Sequence, residues 1–357
     1  MEFSYKPDMK AVVERHRLLW ACRMPDRILA MMDPEGAVLY SAETDPANKA
    51  PNIAEMFTAC EEIYRRRKDL EDDSIPVGRV SFGSNAFGAY LGAEVVSGGT
   101  GGFSKPLLTD WSALDKLRFN EENEWIQHQK EACRYYLEHA RGKFPVCEME
   151  TIDALNLADV LRGTTQAFMD VYDHPDELAR LMDFGADFNI RFIEMQRQIL
   201  RESLYYEEGI FDMFWIWLPG RAVWLSVDAY ASCAPQVFEQ MGRQYIQRLI
   251  DHFGSGWLHI HSNGVYLLPQ LVKLRNLVGI GIFEDPGPPR PFEQLAEIRA
   301  ITGDIPLQIH CHRDELEKGM RDRTLPGGII YWVQGVRSIE DGNRLMEKVR
   351  AYRAPLA

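Results

Sequence analysis

From residue 144 onward, short apolar runs alternate with amphipathic stretches of ten or more residues. The clearest apolar runs are WLHIHS, GIGIFED, PLQIHCH and GIIYWVQG. Strands that alternate with helices predict a parallel sheet, and this number of repeats favours a closed barrel over an open sheet. DRILAMM and RVSFGS could supply the missing early strands, which brings the total close to eight. The sequence therefore predicts an α/β fold, a (β/α)8 barrel of the TIM type.

The first 140 residues differ from the rest and predict a helical extension to the barrel. Residues 8–24 and 52–73 carry apolar side chains at helical spacing, and the charged end of the second segment is typical of a solvated helix face. Residues 80–106 are rich in glycine but contain neither a P-loop nor a dinucleotide fingerprint, so they form either an active-site loop or a plain connector. We expect residues 1–357 to form a single barrel domain that includes this extension.

Four of the nine histidines lie in two His-x-His pairs at the ends of predicted strands. The pairs are His259 with His261 and His310 with His312. Because successive strand side chains point to opposite faces, both imidazoles of a pair face the same way. In barrels of this type, function resides at the carboxyl ends of the strands. Other polar residues follow predicted strands in the same way, namely Glu148, Glu150, Asp228, Glu284, Asp285 and Gln334.

A divalent metal, zinc for example, is the most economical explanation of this cluster. Catalytic zinc takes three protein ligands and leaves a position open. His259 and His261 would supply two ligands, and the third would come from Glu284 or from His310, Cys311 or His312. Acid–base catalysis without a metal is the alternative, with a carboxylate such as Glu284 orienting a histidine. In the simplest interpretation the imidazoles only satisfy buried hydrogen bonds. A Ser-His-Asp hydrolase is disfavoured because no G-x-S-x-G motif is present.

The segment FWIWLPGRAVW contains Trp217 and Arg221, which are candidates for substrate binding. The tryptophans either pack in the core or form a wall for a large flat ligand, with Arg221 contacting a carboxylate or phosphate.

Charge and cysteine usage limit the partners and the compartment. The net charge of −13 disfavours nucleic acid and anionic membranes as partners, so a small-molecule substrate or a protein partner is expected. The six cysteines are scattered without C-x-x-C spacing, which predicts reduced thiols and a cytoplasmic protein. The first residues lack the apolar region of a signal peptide, and no run of eighteen apolar residues is present.

Three segments of the chain resemble the uroporphyrinogen decarboxylase superfamily. They are ERHRLLWACRMPDR near the start, residues 156–183 and residues 225–251. The closest branch is that of the cobamide-dependent methyltransferases, whose strand LHICGN is similar to LHIHSN in this chain. His259 falls on the histidine and His261 on the cysteine that bind zinc in that branch, and imidazole in place of thiolate still permits zinc.

The resemblance implies metal-assisted methyl transfer to or from a corrinoid, which a partner protein would carry. The branch takes its third ligand from a cysteine near the carboxyl end, where residues 327–336 offer Gln334 instead. Asp228 and Glu284 are then the carboxylates expected to serve as ligands or in proton transfer. A decarboxylase or lyase acting on a carboxylated substrate is the alternative enzyme. The decarboxylase branch has an aspartate in an F-x-D-I-L strand, where SFGSNAF offers Asn85 instead as a candidate for substrate binding. A protein that binds a tetrapyrrole or corrinoid without turnover is the alternative outside enzymes.

Overall fold

The protein folds around eight parallel strands. The computed structural model describes residues 3–39, 52–84, 86–98 and 101–355. The strands are β1 (Ile28–Pro34), β2 (Gly78–Arg79), β3 (Val146–Cys147), β4 (Val223–Ser226), β5 (Gly256–His261), β6 (Leu277–Phe283), β7 (Leu307–His312) and β8 (Ile329–Val336). Six of them form one sheet in the order β1-β8-β7-β6-β5-β4, and β2 pairs with β3 in parallel. The predicted TIM-type α/β fold is confirmed.

Side chains, more than backbone ladders, join the β2–β3 pair to the larger sheet at β1. The amide of Ala30 donates to Asp73 Oδ2 over 3.0 Å, and the amide of Met32 donates to Asp72 Oδ2 over 2.8 Å. Both carboxylates are buried. A buried backbone amide needs an acceptor, so these aspartates take the place of a neighbouring strand's carbonyl groups.

The contact between β3 and β4 depends on a buried arginine. Arg197 forms an ion pair with Glu148, with Nη2 to Oε1 at 2.6 Å. Its guanidinium also donates to the carbonyl oxygens of Arg221 and Ala222, over 2.9 and 2.7 Å. One planar group thus joins the chain after β3 to the start of β4, using several of its donors in a fixed geometry.

Helices follow or precede most strands and cover the outside of the sheet. The α-helices are Met9–Trp20, Ile53–Arg67, Ala86–Tyr90, Glu124–His139, Ala154–Arg162, Thr164–Asp173, Pro175–Leu204, Pro235–Val237, Arg243–Phe253, Leu268–Leu271, Leu295–Thr302, Arg313–Asp322 and Ile339–Ala351. Short 3₁₀ turns occupy Trp111–Lys116, Asp228–Ser232, Ser262–Leu267 and Pro291–Gln294, and Phe238–Gly242 is a π-helical turn. Of the described helices, none combines the length and the apolar character needed to span a membrane.

The amino-terminal extension is helical as predicted, although both predicted helices end early. The segment 8–24 forms the helix Met9–Trp20, and the segment 52–73 forms the helix Ile53–Arg67. Cys22 has a φ of +53°, a left-handed conformation that cannot continue a helix. In the second case the chain leaves the helix because Asp72 and Asp73 turn inward to reach β1.

The glycine-rich segment 80–106 contains the short helix Ala86–Tyr90 and a hairpin of two antiparallel strands, Val95–Gly98 and Gly101–Ser104. Gly88 packs so closely that a β-carbon there would lie 3.1 Å from the Val160 side chain. Asn85, a predicted substrate-binding residue, lies outside the described residues.

The tryptophan-rich segment lies in a small three-stranded antiparallel sheet, formed by Tyr205–Tyr206, Gly209–Asp212 and Ile216–Pro219. Trp217 is 1% exposed, and its carbonyl oxygen accepts a hydrogen bond from the Trp20 indole. Trp217 is therefore a core residue that joins this sheet to the first helix, and it does not line the cavity at the barrel mouth.

Candidate active site at the mouth of the barrel

A cavity of about 960 Å³ opens at the carboxyl ends of the strands. Each of the eight strands, or the segment that follows it, contributes a polar side chain to the lining: Asp33, Arg79, Glu150, Asp228, His261, Asp285, His310 and Gln334. The volume lies within the range typical of small-molecule sites. The structure thus brings polar side chains together at the end of the barrel where the sequence predicts them.

The first histidine pair meets inside this cavity. His259 and His261 are two residues apart on β5, and their Nε2 atoms are 2.9 Å apart. His259 is 5% exposed and lies between aromatic rings, stacked on Phe214 with centroids 5.2 Å apart and on Trp224 at 5.6 Å. The rings therefore present both Nε2 atoms to one point, with apolar surroundings on the side of His259.

A carboxylate determines which nitrogen of His261 carries a proton. Asp285 Oδ1 lies 2.9 Å from His261 Nδ1. An ionised carboxylate only accepts, so the Nδ1 proton belongs to this hydrogen bond and the Nε2 lone pair points at His259. In the hydrogen bond between the two rings, His259 Nε2 then donates; as a metal ligand, His259 would instead carry its proton on Nδ1. A carboxylate behind an imidazole is the arrangement that orients metal-binding histidines and makes them better ligands.

Asp228 completes a group of three possible metal ligands. It follows β4 directly, and its Oδ2 lies 3.9 Å from His261 Nε2. One ligand atom from each of Asp228, His259 and His261 lies within 4.8 Å of the other two. Because zinc binds nitrogen and carboxylate oxygen at about 2.0–2.2 Å, one ion can reach donors about 4 Å apart after small rotations of the side chains.

Burial keeps His259 and His310 neutral. It lowers the pKa of His259 well below the ordinary value, and the neighbouring His261 and His310 add to this. Burial likewise lowers the pKa of His310 to about 4. Burial also raises the pKa of the Asp228 carboxyl, against the opposing effect of His261. Neutral imidazole is the form that a metal requires.

The second histidine pair separates. His310 lines the cavity, stacked on Phe283 with centroids 4.7 Å apart, and its buried Nε2 has no hydrogen-bond partner among the described residues. His312 is exposed at the start of the helix Arg313–Asp322, where its amide donates to Glu315 Oε2 over 2.7 Å. Cys311 is fully buried and is absent from the lining. Of the proposed third ligands, therefore, neither His312 nor Cys311 faces the cluster.

Glu284 lines the cavity but is held by Arg290. Glu284 Oε1 accepts from Arg290 Nε over 2.7 Å, and the same guanidinium forms an ion pair with Glu315. Glu284 Oε2 is buried and has no hydrogen-bond partner among the described residues. The geometry leaves this oxygen available for a ligand or a proton, while Asp285 takes the place beside His261.

Two further predicted residues lie in different places. Gln334 lines the cavity, opposite His312 in the pairing of β7 with β8. Arg221 is exposed, pairs with Glu194 over 2.6 Å and lines a separate surface depression. Arg221 is therefore not placed to contact a substrate in the main cavity. Of the tryptophan-rich segment, Trp224 and Phe214 line the cavity and Trp217 does not; sequence reasoning missed the other two aromatic rings of the lining, Phe283 and Trp332.

Asp153, behind the site, offers a prediction about pH. Its Oδ1 caps the helix Ala154–Arg162, accepting from the amides of Leu155 and Asn156. Burial raises the pKa of this carboxyl to about 8. The unfolded chain releases the proton near pH 4 and the folded chain keeps it, so stability falls as pH rises from about 4 to 8. Asp153→Asn keeps the cap and removes this loss.

The quantity to compare is the free energy of unfolding of Asp153→Asn minus that of the wild type. We expect this difference to be about 1–3 kcal/mol larger at pH 8 than at pH 5. Urea unfolding at both pH values measures it. Asp110→Asn is the control, because Asp110 also caps a turn but is exposed. An equal difference at both pH values would show that Asp153 is ionised in the fold.

Comparisons with known proteins support the fold alone. Neither protein-family models nor curated protein sequences match the chain. Among solved structures, the fold is similar to that of a methyltransferase from Methanosarcina mazei, with a TM-score of 0.56 and 12% sequence identity. The match covers 98% of this chain and 99% of that chain. The two chains thus share a similar fold over nearly their whole length.

Proposed function

We propose that this protein is a metal-dependent methyltransferase that passes a methyl group to or from a corrinoid carried by a partner protein. The observation that carries the proposal is the meeting of His259, His261 and Asp228 at the barrel mouth. The fold likeness to a methyltransferase and the resemblance of LHIHSN to the zinc-binding strand of the cobamide-dependent branch support it. We also propose that residues 1–357 form one domain and that the protein works in the cytoplasm.

The residues fit a divalent metal, with zinc as the first choice. Two imidazoles and one carboxylate are donors that zinc accepts, and the cavity leaves space beside them for a further ligand. When bound, the ion would act as a Lewis acid on the methyl donor or acceptor, and more strongly than with thiolate ligands because imidazole donates less charge.

The chain's own residues prepare that site. Asp285 holds the Nδ1 proton of His261 and thereby directs Nε2 into the cavity. Phe214 and Trp224 exclude water from the side of His259. Glu284, anchored through one oxygen by Arg290, presents its other oxygen as the group able to hold or move a proton.

A transfer assay tests the proposal. Metal-loaded protein should demethylate methylcobalamin in the presence of one member of a panel of small thiols and amines, or methylate reduced cobalamin from one of a panel of methylated donors. The absorbance change of the corrinoid measures both reactions. Asp228→Ala should reduce the rate by about 100-fold or more, because a ligand is lost. Corrinoid binding without turnover in any pairing would favour the binding-only alternative, and carbon dioxide release from a carboxylated substrate would favour a lyase.

A further inference from the structure

The lining of the main cavity is strongly acidic. Six carboxylates face it (Asp33, Glu150, Asp159, Asp228, Glu284 and Asp285), against one guanidinium, that of Arg79, among the described residues. A divalent metal at the histidine site would leave the lining negative. Clefts with walls of one charge and low dielectric concentrate ligands of the opposite charge.

Nearby cations do not cancel this charge. Arg290, which pairs with Glu284, is shared with Glu315. Arg67, 3.5 Å from Asp33, is shared with Asp72. The half-buried carboxylate of Asp159 has no hydrogen bond or ion pair within the described part of the chain. The mouth therefore keeps negative charge that the protein itself does not neutralise.

Aromatic rings stand beside these carboxylates. Trp224 is the most accessible of the four rings and stacks on Phe214, with centroids 5.8 Å apart and planes at 19°. Phe283 and Trp332 also line the cavity, with centroids 5.5 Å apart and planes at 84°. The faces of such rings carry negative potential and attract organic cations, most strongly when water is excluded.

The same cavity collects buried polar atoms that have no partner among the described residues. They are Trp224 Nε1, Asp228 Oδ1, His259 Nδ1, Glu284 Oε2 and His310 Nε2. Buried polar atoms in proteins are normally satisfied, so a bound ligand or ordered water must satisfy these five. Two of the five are carboxylate oxygens, which accept and never donate when ionised. A ligand with positive charge would offset the charge of these two oxygens.

We propose that the cavity binds a methylated ammonium ion, held against Trp224 by cation–π attraction and by the acidic lining around Asp159. The inference rests on the proposed function, in which this ion is the methyl donor; its nitrogen has no lone pair, so a metal at the histidine site would act on an oxygen of the donor and not on nitrogen. In the transfer, the carbon–nitrogen bond breaks and its electron pair stays on nitrogen, which leaves as a neutral amine. A reduced corrinoid supplies the electron pair of the new bond to carbon, and from a quaternary donor no proton moves.

Calorimetric titration of the full chain tests the charge requirement. The ligands are choline and its uncharged carbon isostere 3,3-dimethylbutan-1-ol, each with metal-loaded and metal-free protein. Choline should bind at least about tenfold more tightly than the isostere, since the two differ only in the charge that the lining recognises. Raised salt should weaken choline binding alone. Equal affinities for the two, or no binding of choline at millimolar concentration, would overturn the inference.

Variants locate the site. Trp224→Leu should weaken choline binding by about tenfold, and Trp224→Phe, which keeps an aromatic face, should weaken it less. Asp159→Asn should weaken binding by about threefold and reduce its salt dependence. Asp173→Asn removes an exposed carboxylate outside the cavity and should change nothing. Thermal unfolding shows that each variant is folded. Unchanged affinity in both Trp224→Leu and Asp159→Asn would contradict binding in this cavity.

Failure of this inference is distinguishable from failure of the proposed function. Demethylation of methylcobalamin with a thiol, but no ammonium binding, would leave the methyltransferase proposal standing and remove the ammonium donor. Choline binding that responds to the variants, without transfer in any pairing, would leave the ammonium site standing and remove the methyltransferase.

Discussion

Replacing His259 and His261 together by alanine should lower the metal content of the purified protein from about one ion per chain to below about 0.1. Both Nε2 atoms point to the same place in the cavity, so the double change leaves Asp228 as the only member of the three-residue group. A lone half-buried carboxylate does not retain zinc against dilution. Elemental analysis of protein purified without a histidine tag measures the content.

His312→Ala is the matched control for this experiment. His312 belongs to the second His-x-His pair but is exposed at the start of a helix, so its loss should leave the metal content unchanged. The double variant should still unfold cooperatively, with a midpoint lower by the stabilisation that the bound ion supplied. Wild-type protein that contains far less than one equivalent of zinc, iron, cobalt or nickel would contradict the metal-dependent function.

Asp72→Ala should destabilise the fold by about 3–5 kcal/mol, because it breaks a buried charge network and leaves Arg67 and Lys6 without this carboxylate. Asp72 is 1% exposed. It also accepts from the amide of Met32 on β1, which would lose its acceptor in the interior. Urea unfolding followed by circular dichroism measures the change.

Glu62→Ala serves as the control for the carboxylate change. Glu62 pairs with Arg65 and Arg66 on the surface of one helix, and such exposed pairs are screened by water. Its loss should leave the unfolding midpoint nearly unchanged. If Asp72→Ala proved as mild as Glu62→Ala, the junction of β1 with β2 would not depend on the buried carboxylates.

The sequence predicted the barrel because alternation of strands and helices is a local pattern. The predicted pairing of His259 with His261 followed from the two-residue period of a strand, and the structure brings the two rings together. The same period applied to His310 and His312 did not hold, because the chain leaves β7 at His312 and begins a helix. A period describes side chains only while the strand continues.

The partners of these histidines depend on contacts between distant segments. Asp285 and Glu284 both follow β6, and only the pairing of His261 with Phe283 decides which carboxylate reaches the imidazole. Asp228 becomes the third candidate ligand because β4 lies beside β5. Asp72, Asp73 and Arg197 bond to residues that lie 24 to 49 positions away in the sequence. A local sequence pattern cannot predict such contacts.

The division of the barrel wall has a mechanical consequence. Asp228, His259 and His261 follow or lie on strands of the continuous six-stranded ladder, whereas Arg79 and Glu150 belong to the β2–β3 arc, which is attached on each flank through side chains. The free energy of the local opening that permits amide hydrogen exchange should accordingly be lower for the β2–β3 pair than for the six-stranded sheet. The β2–β3 side of the cavity entrance can therefore move to admit a bulky ligand, while the side formed by the six-stranded sheet keeps Asp228, His259 and His261 in place.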